Sequence, residues 1–242
     1  MRYAPFVSPI DAPKAPPPRD PLAGVSPIDA PKAPPPPDPL AGVSDEVEDA
    51  RLKSLGIQII TDREDFKVHA ECIRVARRLR NSRRRIVGMV PAAAHVAVAP
   101  LAIQLGMALA ELTGATIGIV DANVRWPAFS ALAAEEQRGP EDLIFATRWL
   151  RGSLALLTPP RAADPGAGVP QLDRVIRYGS DLFAHVLIDL TGFDLLGDHL
   201  AAFDHCDALI GVGRAGKTRE DDLLRLQRDL PVLKYLGVLL VG

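Results

Sequence analysis

Beyond residue 56 the chain alternates short apolar runs with stretches whose apolar positions recur every three or four residues. Arg85 to Val90 (RIVGMV), Thr116 to Val120 (TIGIV), Ser153 to Leu157, His185 to Asp189 (HVLID), Ala208 to Val212 (ALIGV) and Leu236 to Val241 read as strands. Most are apolar almost without interruption, as strands covered on both faces are. Ile57 to Ile60 reads as a smaller extended piece. Helices are predicted over 63 to 82, near 100 to 112, over 170 to 183 and over 218 to 230. In the first of these Phe66, Ala70, Ile73, Ala76 and Leu79 fall on one stripe. Strands alternating with helices predict an α/β domain, a doubly wound, mostly parallel sheet with helices on both faces.

Ahead of this pattern the sequence is of another kind. Residues 7 to 24 (VSPIDAPKAPPPRDPLAG) recur as residues 25 to 42 with one difference, Arg19 against Pro37. Proline at this density removes amide donors and fixes φ, which favours extended polyproline II and excludes helix or central strand. The expected organisation is a disordered proline-rich tail over 1 to 50, closed by the acidic Asp45 to Asp49, and a folded domain over 51 to 242. The repeat reads either as a semi-rigid linker or as a duplicated docking motif. In the second case the apolar residues Ile10, Leu22, Ile28 and Leu40 offer anchors whose doubling raises avidity for a partner.

Composition narrows the function classes. With 48% hydrophobic residues, 242 residues can bury one full core. A net charge of -2 gives no global field for nucleic acid or an anionic membrane, so nucleic-acid binding is not expected. Cys72 and Cys206 are far apart and form no CxxC pair, which suggests neither a disulfide framework nor a zinc site. The start lacks the apolar core of a signal peptide, and no apolar run is long enough to span a bilayer. The expectation is a cytoplasmic protein without direct membrane insertion, recruited to the inner face of the cell membrane, if at all, by a partner.

In doubly wound folds ligands sit at the carboxyl ends of the strands. TIGIV is followed by Asp121-Ala122-Asn123-Val124-Arg125-Trp126-Pro127, and HVLI by Asp189-Leu190-Thr191-Gly192. Both place an aspartate where a magnesium ion would be held, although an aspartate at a strand end also caps the next turn. Further on, Val212 to Thr218 (VGRAGKT) leads into a helix and then LGVLLVG. By these motifs, in this order, the chain resembles the cytoplasmic ATPase domain of bacterial tyrosine kinases of the capsule and exopolysaccharide systems, relatives of the MinD and ParA group. IVDANVRWP resembles the family's second motif, VLIDLTG its Walker B motif, VGRAGKT its later segment and LGVLLVG its last strand. The resemblance covers roughly residues 60 to 242.

One motif is missing. Phosphate binding needs a glycine-rich loop of amide donors, a lysine for the β and γ phosphates and a hydroxyl for magnesium. The corresponding segment, Pro91-Ala92-Ala93-Ala94-His95-Val96-Ala97-Val98-Ala99-Pro100, has no glycine, lysine, serine or threonine. Val98 falls at the lysine position, Ala99 and Pro100 at the hydroxyl positions, and Pro91 and Pro100 each lack an amide donor. Val241 stands where the family has an asparagine. The expectation is no catalytic residue, no nucleotide at Pro91, His95, Val98, Ala99 and Pro100, no bound cofactor or metal, and Asp121 and Asp189 as residual metal-site aspartates.

Glu71, Arg74 and Arg77 match the E-x-x-R-x-x-R helix that, in the family, helps build a subunit ring. At i, i+3 and i+6 they share a face able to pair with a neighbour's carboxylates, or with one another. The alternative is a solvated basic face running on into Arg83-Arg84-Arg85. His199, Asp204, His205, Cys206 and Asp207 are read as structural, and Trp126, where the family has arginine, as lying over the lost pocket or at a subunit contact. The expectation is a non-catalytic pseudo-ATPase or pseudokinase that oligomerises and recruits protein partners in surface polysaccharide synthesis or export, its natural partner a membrane polysaccharide co-polymerase or a cytoplasmic scaffold. The alternatives are a MinD or ParA-like positioning scaffold of a cell-surface or motility machine, and an ATPase or kinase with an unorthodox nucleotide loop.

Overall fold

The computed structural model describes residues 45–54, 57, 66–123, 126–130, 145–159, 169–192 and 203–242. Seven strands form one sheet: β1 (Ile86–Pro91), β2 (Ile117–Asp121), β3 (Ala146–Leu150), β4 (Leu154–Thr158), β5 (His185–Asp189), β6 (Ala208–Arg214) and β7 (Tyr235–Val241). Their order is β3-β4-β2-β5-β1-β6-β7. All pairings are parallel except β3 with β4 at one edge. The described helices are α1 (Asp45–Ser54), α2 (Phe66–Ser82), α3 (Ala99–Thr113), α4 (Val169–Leu182) and α5 (Glu220–Asp229).

The apolar runs divide between two cores by the period-two rule of strands. On one face Val87, Met89, Ile117, Ile119, Leu187 and Ile210 pack with α2 and α3. On the other, Val120, Val186, Ile188 and Leu209 pack with Leu172 and Ile176 of α4 and Leu226 of α5. Every residue of β2 and β5 is buried, as expected of central parallel strands. The close fit leaves no room at Gly118, where an added β-carbon would sit 2.6 Å from the Phe183 ring. After Thr113, Gly114 takes a left-handed φ of 62° and returns its amide to the Ala110 carbonyl, which ends α3.

Three sequence expectations need correction or completion. Of the helix predicted over 63 to 82, Phe66–Ser82 is helical and residues 63 to 65 lie outside the described residues; its buried residues are Cys72, Ala76 and Leu79, while Phe66 is 72% exposed. Of the extended piece expected at Ile57 to Ile60, Ile57 is buried but outside any strand, and the other three lie outside the described residues. The edge strand β3 was not foreseen; its pattern is blurred by Arg148, buried at an inward position.

The acidic stretch Asp45 to Asp49 lies in α1, which runs on to Ser54 and drives Leu52 fully into the core. The Arg151 amide donates to Glu48 Oε2 at 3.1 Å, and Arg151 Nη2 to both oxygens of Asp49 at 2.7 and 2.8 Å. These bonds fasten α1 to the β3–β4 turn, where Arg151 itself has a left-handed φ of 47°. No helix among the described residues is long and apolar enough to cross a membrane.

Candidate functional site at the carboxyl ends of the strands

β2 and β5 are neighbours in register, and Asp121 faces Asp189 as its Cα partner. Both carboxylates are buried, with 0% and 1% of their surface exposed. The fold therefore brings the two sequence-predicted aspartates together at the end of the sheet where such domains bind ligands.

Each carboxylate is used by its own loop. Asp121 Oδ1 accepts the Asn123 amide at 2.9 Å and Oδ2 the Phe129 amide at 3.3 Å. Asp189 Oδ1 accepts both the Thr191 amide at 2.9 Å and the Thr191 hydroxyl. The two are the same device, an Asx turn in which the side chain takes the amide two residues on. Burial, and then the nearby Asp189, push the Asp121 carboxyl up to about 7, against its amide hydrogen bonds. Burial pushes Asp189 up as well, opposed by the two Thr191 hydrogen bonds.

Asn123 lies between the two loops, a placement not read from the sequence. Its Oδ1 accepts the Trp126 amide at 3.0 Å, and its side chain lies 3.5 Å from where a β-carbon would stand on Gly192, whose φ is 71°. The D-x-N and D-x-T spacings carry the signal for the turns. Trp126 is 55% exposed. Val124 and Arg125 of the same motif lie outside the described residues.

Between β1 and α3 the chain is packed by apolar side chains. Val96 and Val98 are 2% and 1% exposed and belong to the core beneath α2 and α3. Pro91 ends β1, Ala99 is buried, and Pro100 sits in the first turn of α3. No side chain caps the start of α3, and His95 is exposed.

Glu71 and Arg74 form a hydrogen-bonded ion pair on α2, with Arg74 Nε 2.7 Å from Glu71 Oε2, and Arg77 is exposed one turn on. Glu71 and Arg74 line a groove of about 710 Å³ together with Ala97, Pro100 and the end of β7, so this face of α2 adjoins the loop. His205 pairs with Asp173 at 2.6 Å and Asp207 Oδ2 accepts the Arg85 and Ile86 amides, which sends these side chains to different partners. Cys206 is buried with its thiol pushed up to about 12 by burial. Ile10, Leu22, Ile28, Leu40 and His199 lie outside the described residues.

No family model and no curated protein sequence matches the chain. Among solved structures, the BceF tyrosine kinase domain aligns over 82% of this chain and 88% of its own, with a TM-score of 0.57 and 14% identity. The VpsO kinase domain aligns over 72% of this chain and 94% of its own, with a TM-score of 0.55 and 15% identity. The kinase domain of Escherichia coli tyrosine kinase ETK aligns over 70% and 75%, with a TM-score of 0.51 and 16% identity. At these identities the likeness is one of fold. The domain has the fold of tyrosine kinase domains, a P-loop NTPase-like doubly wound α/β sheet with its buried aspartate pair at the strand ends.

Proposed function

We propose that this chain is a non-catalytic pseudo-ATPase of the tyrosine-kinase type, a scaffold or regulator that assembles with itself and recruits partners in surface polysaccharide synthesis or export. The observation that carries the reading is the loop from Ala92 to Val98. A phosphate loop turns backbone amides and a lysine toward the ligand, and this one turns Val96 and Val98 into the core. Alanine β-carbons stand where phosphates would approach, and no hydroxyl is present for magnesium.

The retained aspartates agree with this reading. Their oxygens accept backbone amides of their own loops, and both carboxyls are held toward the protonated form. Together with the missing lysine and hydroxyl, this donor set does not fit a magnesium nucleotide, and no step is routed through one. The polysaccharide setting follows from the sequence resemblance, and the recruiting element is the proline-rich repeat.

Assembly is assigned to the α2 face. Glu71 and Arg74 pair within their own helix, which leaves Arg77 as the cation presented to a neighbouring subunit. Light scattering tests the scaffold reading. A multimer is expected whose mass is the same with and without ATP and magnesium, and which falls to monomer when Arg74→Glu and Arg77→Glu are combined. A mass unchanged in the variant, or one that nucleotide alters, contradicts it.

A further inference from the structure

The sheet has two edges, and they are built differently. At one edge β3 is five residues long and carries Arg148 buried at an inward position. A short strand and an inward charge are devices that keep an edge from pairing with another chain. At the other edge β7 has seven residues, Tyr235 to Val241, with no charge and no proline among them. Among the described residues no strand lies on its outer side. The Val241 carbonyl accepts the Ala215 amide at 2.8 Å, toward β6, so by the alternation of a strand Val238 and Leu240 turn their N–H and C=O groups outward.

Apolar side chains gather along the same edge. Of the ten large hydrophobic residues exposed among the described ones, five lie between Leu224 and Leu240, in α5, β7 and the turn that joins them. Leu240 is 60% exposed and Leu224 is 48% exposed. Leu240 and Leu223 come within 3.0 and 3.5 Å of where a β-carbon would stand on Gly213, so this turn of α5 covers the end of β7 and Leu224 follows directly. On the other face the end of β7 lines the groove that Glu71 and Arg74 of α2 also line. An apolar concentration of this kind marks an interaction surface.

Backbone and charge together select what covers it. Outward N–H and C=O groups of an edge call for another extended chain. Between Arg219 and Lys234 four basic and four acidic residues cancel, and β7 itself is uncharged. Neither an anionic surface nor a charged peptide is favoured, and two copies meet there without net repulsion. β7 also complements itself. Antiparallel about a two-fold axis at Leu239, Val238 of one copy faces Leu240 of the other on the α5 side, and their outward groups form about four hydrogen bonds.

We propose that two copies of this chain join edge to edge through β7, so that the two seven-stranded sheets become one. Leu224 and Leu240 of each copy are then covered by the other, and the Glu71 and Arg74 face of α2 lies along the join. The inference rests on the self-assembly proposed above and deepens it, naming a closed pair and the strand that makes it.

Light scattering of the full chain is expected to give the mass of two chains. Leu240→Lys places at the edge the residue type that guards natural edges, and is expected to raise the dissociation constant at least tenfold while leaving the melting temperature of the monomer unchanged. Leu239→Cys reads the register. At the axis the two residues form a non-hydrogen-bonded pair with Cα atoms about 4.5 Å apart, within disulfide reach. Mild oxidation is expected to link this variant into a covalent pair and to leave Leu233→Cys unlinked, since Leu233 is 91% exposed but outside the strand and the native Cys72 and Cys206 are buried. A wild-type monomer overturns this inference and the assembly reading together. A multimer that the Arg74→Glu and Arg77→Glu pair dissociates but Leu240→Lys does not overturns the strand pairing alone, leaving the edge to another occupant. Leu233→Cys linking as readily as Leu239→Cys also overturns it.

Discussion

On the proposed reading, the two places where proteins of this fold would handle nucleotide differ in what they hold. At the β1–α3 loop the polar chemistry is absent and the space belongs to the core, with Val96 and Val98 under α2 and α3. At the ends of β2 and β5 the polar residues remain, buried and paired in register. The hydrogen bonds explain the difference. A phosphate-loop lysine contributes nothing to packing, so an apolar side chain at its position gains burial free energy. Asp121 and Asp189 hold the turns that follow their strands, and removing either would leave buried amides without acceptors. The aspartates thus have a structural use that does not depend on a ligand.

Placing a lysine at Val98 breaks the comparison most severely. Val98→Lys places an unpaired ammonium at a site 1% exposed and is expected to cost about 4 kcal/mol, a fall in melting temperature of about 10 °C. A Val98→Lys protein of wild-type stability would mean that the loop can open toward solvent, which thermal unfolding would reveal at once.

The aspartate end gives a smaller effect of the other sign. The folded Asp121 holds its proton up to about pH 7, whereas the unfolded chain releases it near 3.8. Its contribution to stability is therefore present in acid and is lost as pH rises from about 4 to 7, levelling off above. Asp121→Asn is expected to flatten that slope and to raise stability at pH 8 by roughly 1–2 kcal/mol. The gain is limited because an amide nitrogen would meet the Phe129 amide where Oδ2 now accepts it. Urea titrations at pH 4 and pH 8 check this, and an unchanged pH slope in the variant contradicts it. Smaller still is Asn123→Ala, which removes the acceptor of the Trp126 amide and is expected to cost about 1 kcal/mol.

The fold was legible where burial is complete. TIGIV and HVLID are apolar because helices cover both faces of their strands, and the structure buries β2 and β5 throughout. It was less legible where polar side chains point inward. Arg148 hid β3, and Glu48, within the acidic stretch read as closing the proline-rich tail, hid α1, although Leu52 is wholly buried. In α2 the predicted stripe was out of phase, because Phe66 is exposed and Cys72 takes the inward position. At the site, the sequence named Asp121 and Asp189 but left their use open, since an Asx turn and a metal site both want a carboxylate after a strand. The register of β2 on β5 and the amides on each oxygen describe what they hold.

Isothermal titration calorimetry of the full chain with ATP and magnesium tests the central claim most directly. No binding heat is predicted at micromolar to submillimolar nucleotide, for the wild type and for Asp121→Ala alike. Micromolar binding that Asp121→Ala abolishes would show a working nucleotide site behind the apolar loop and contradict the account.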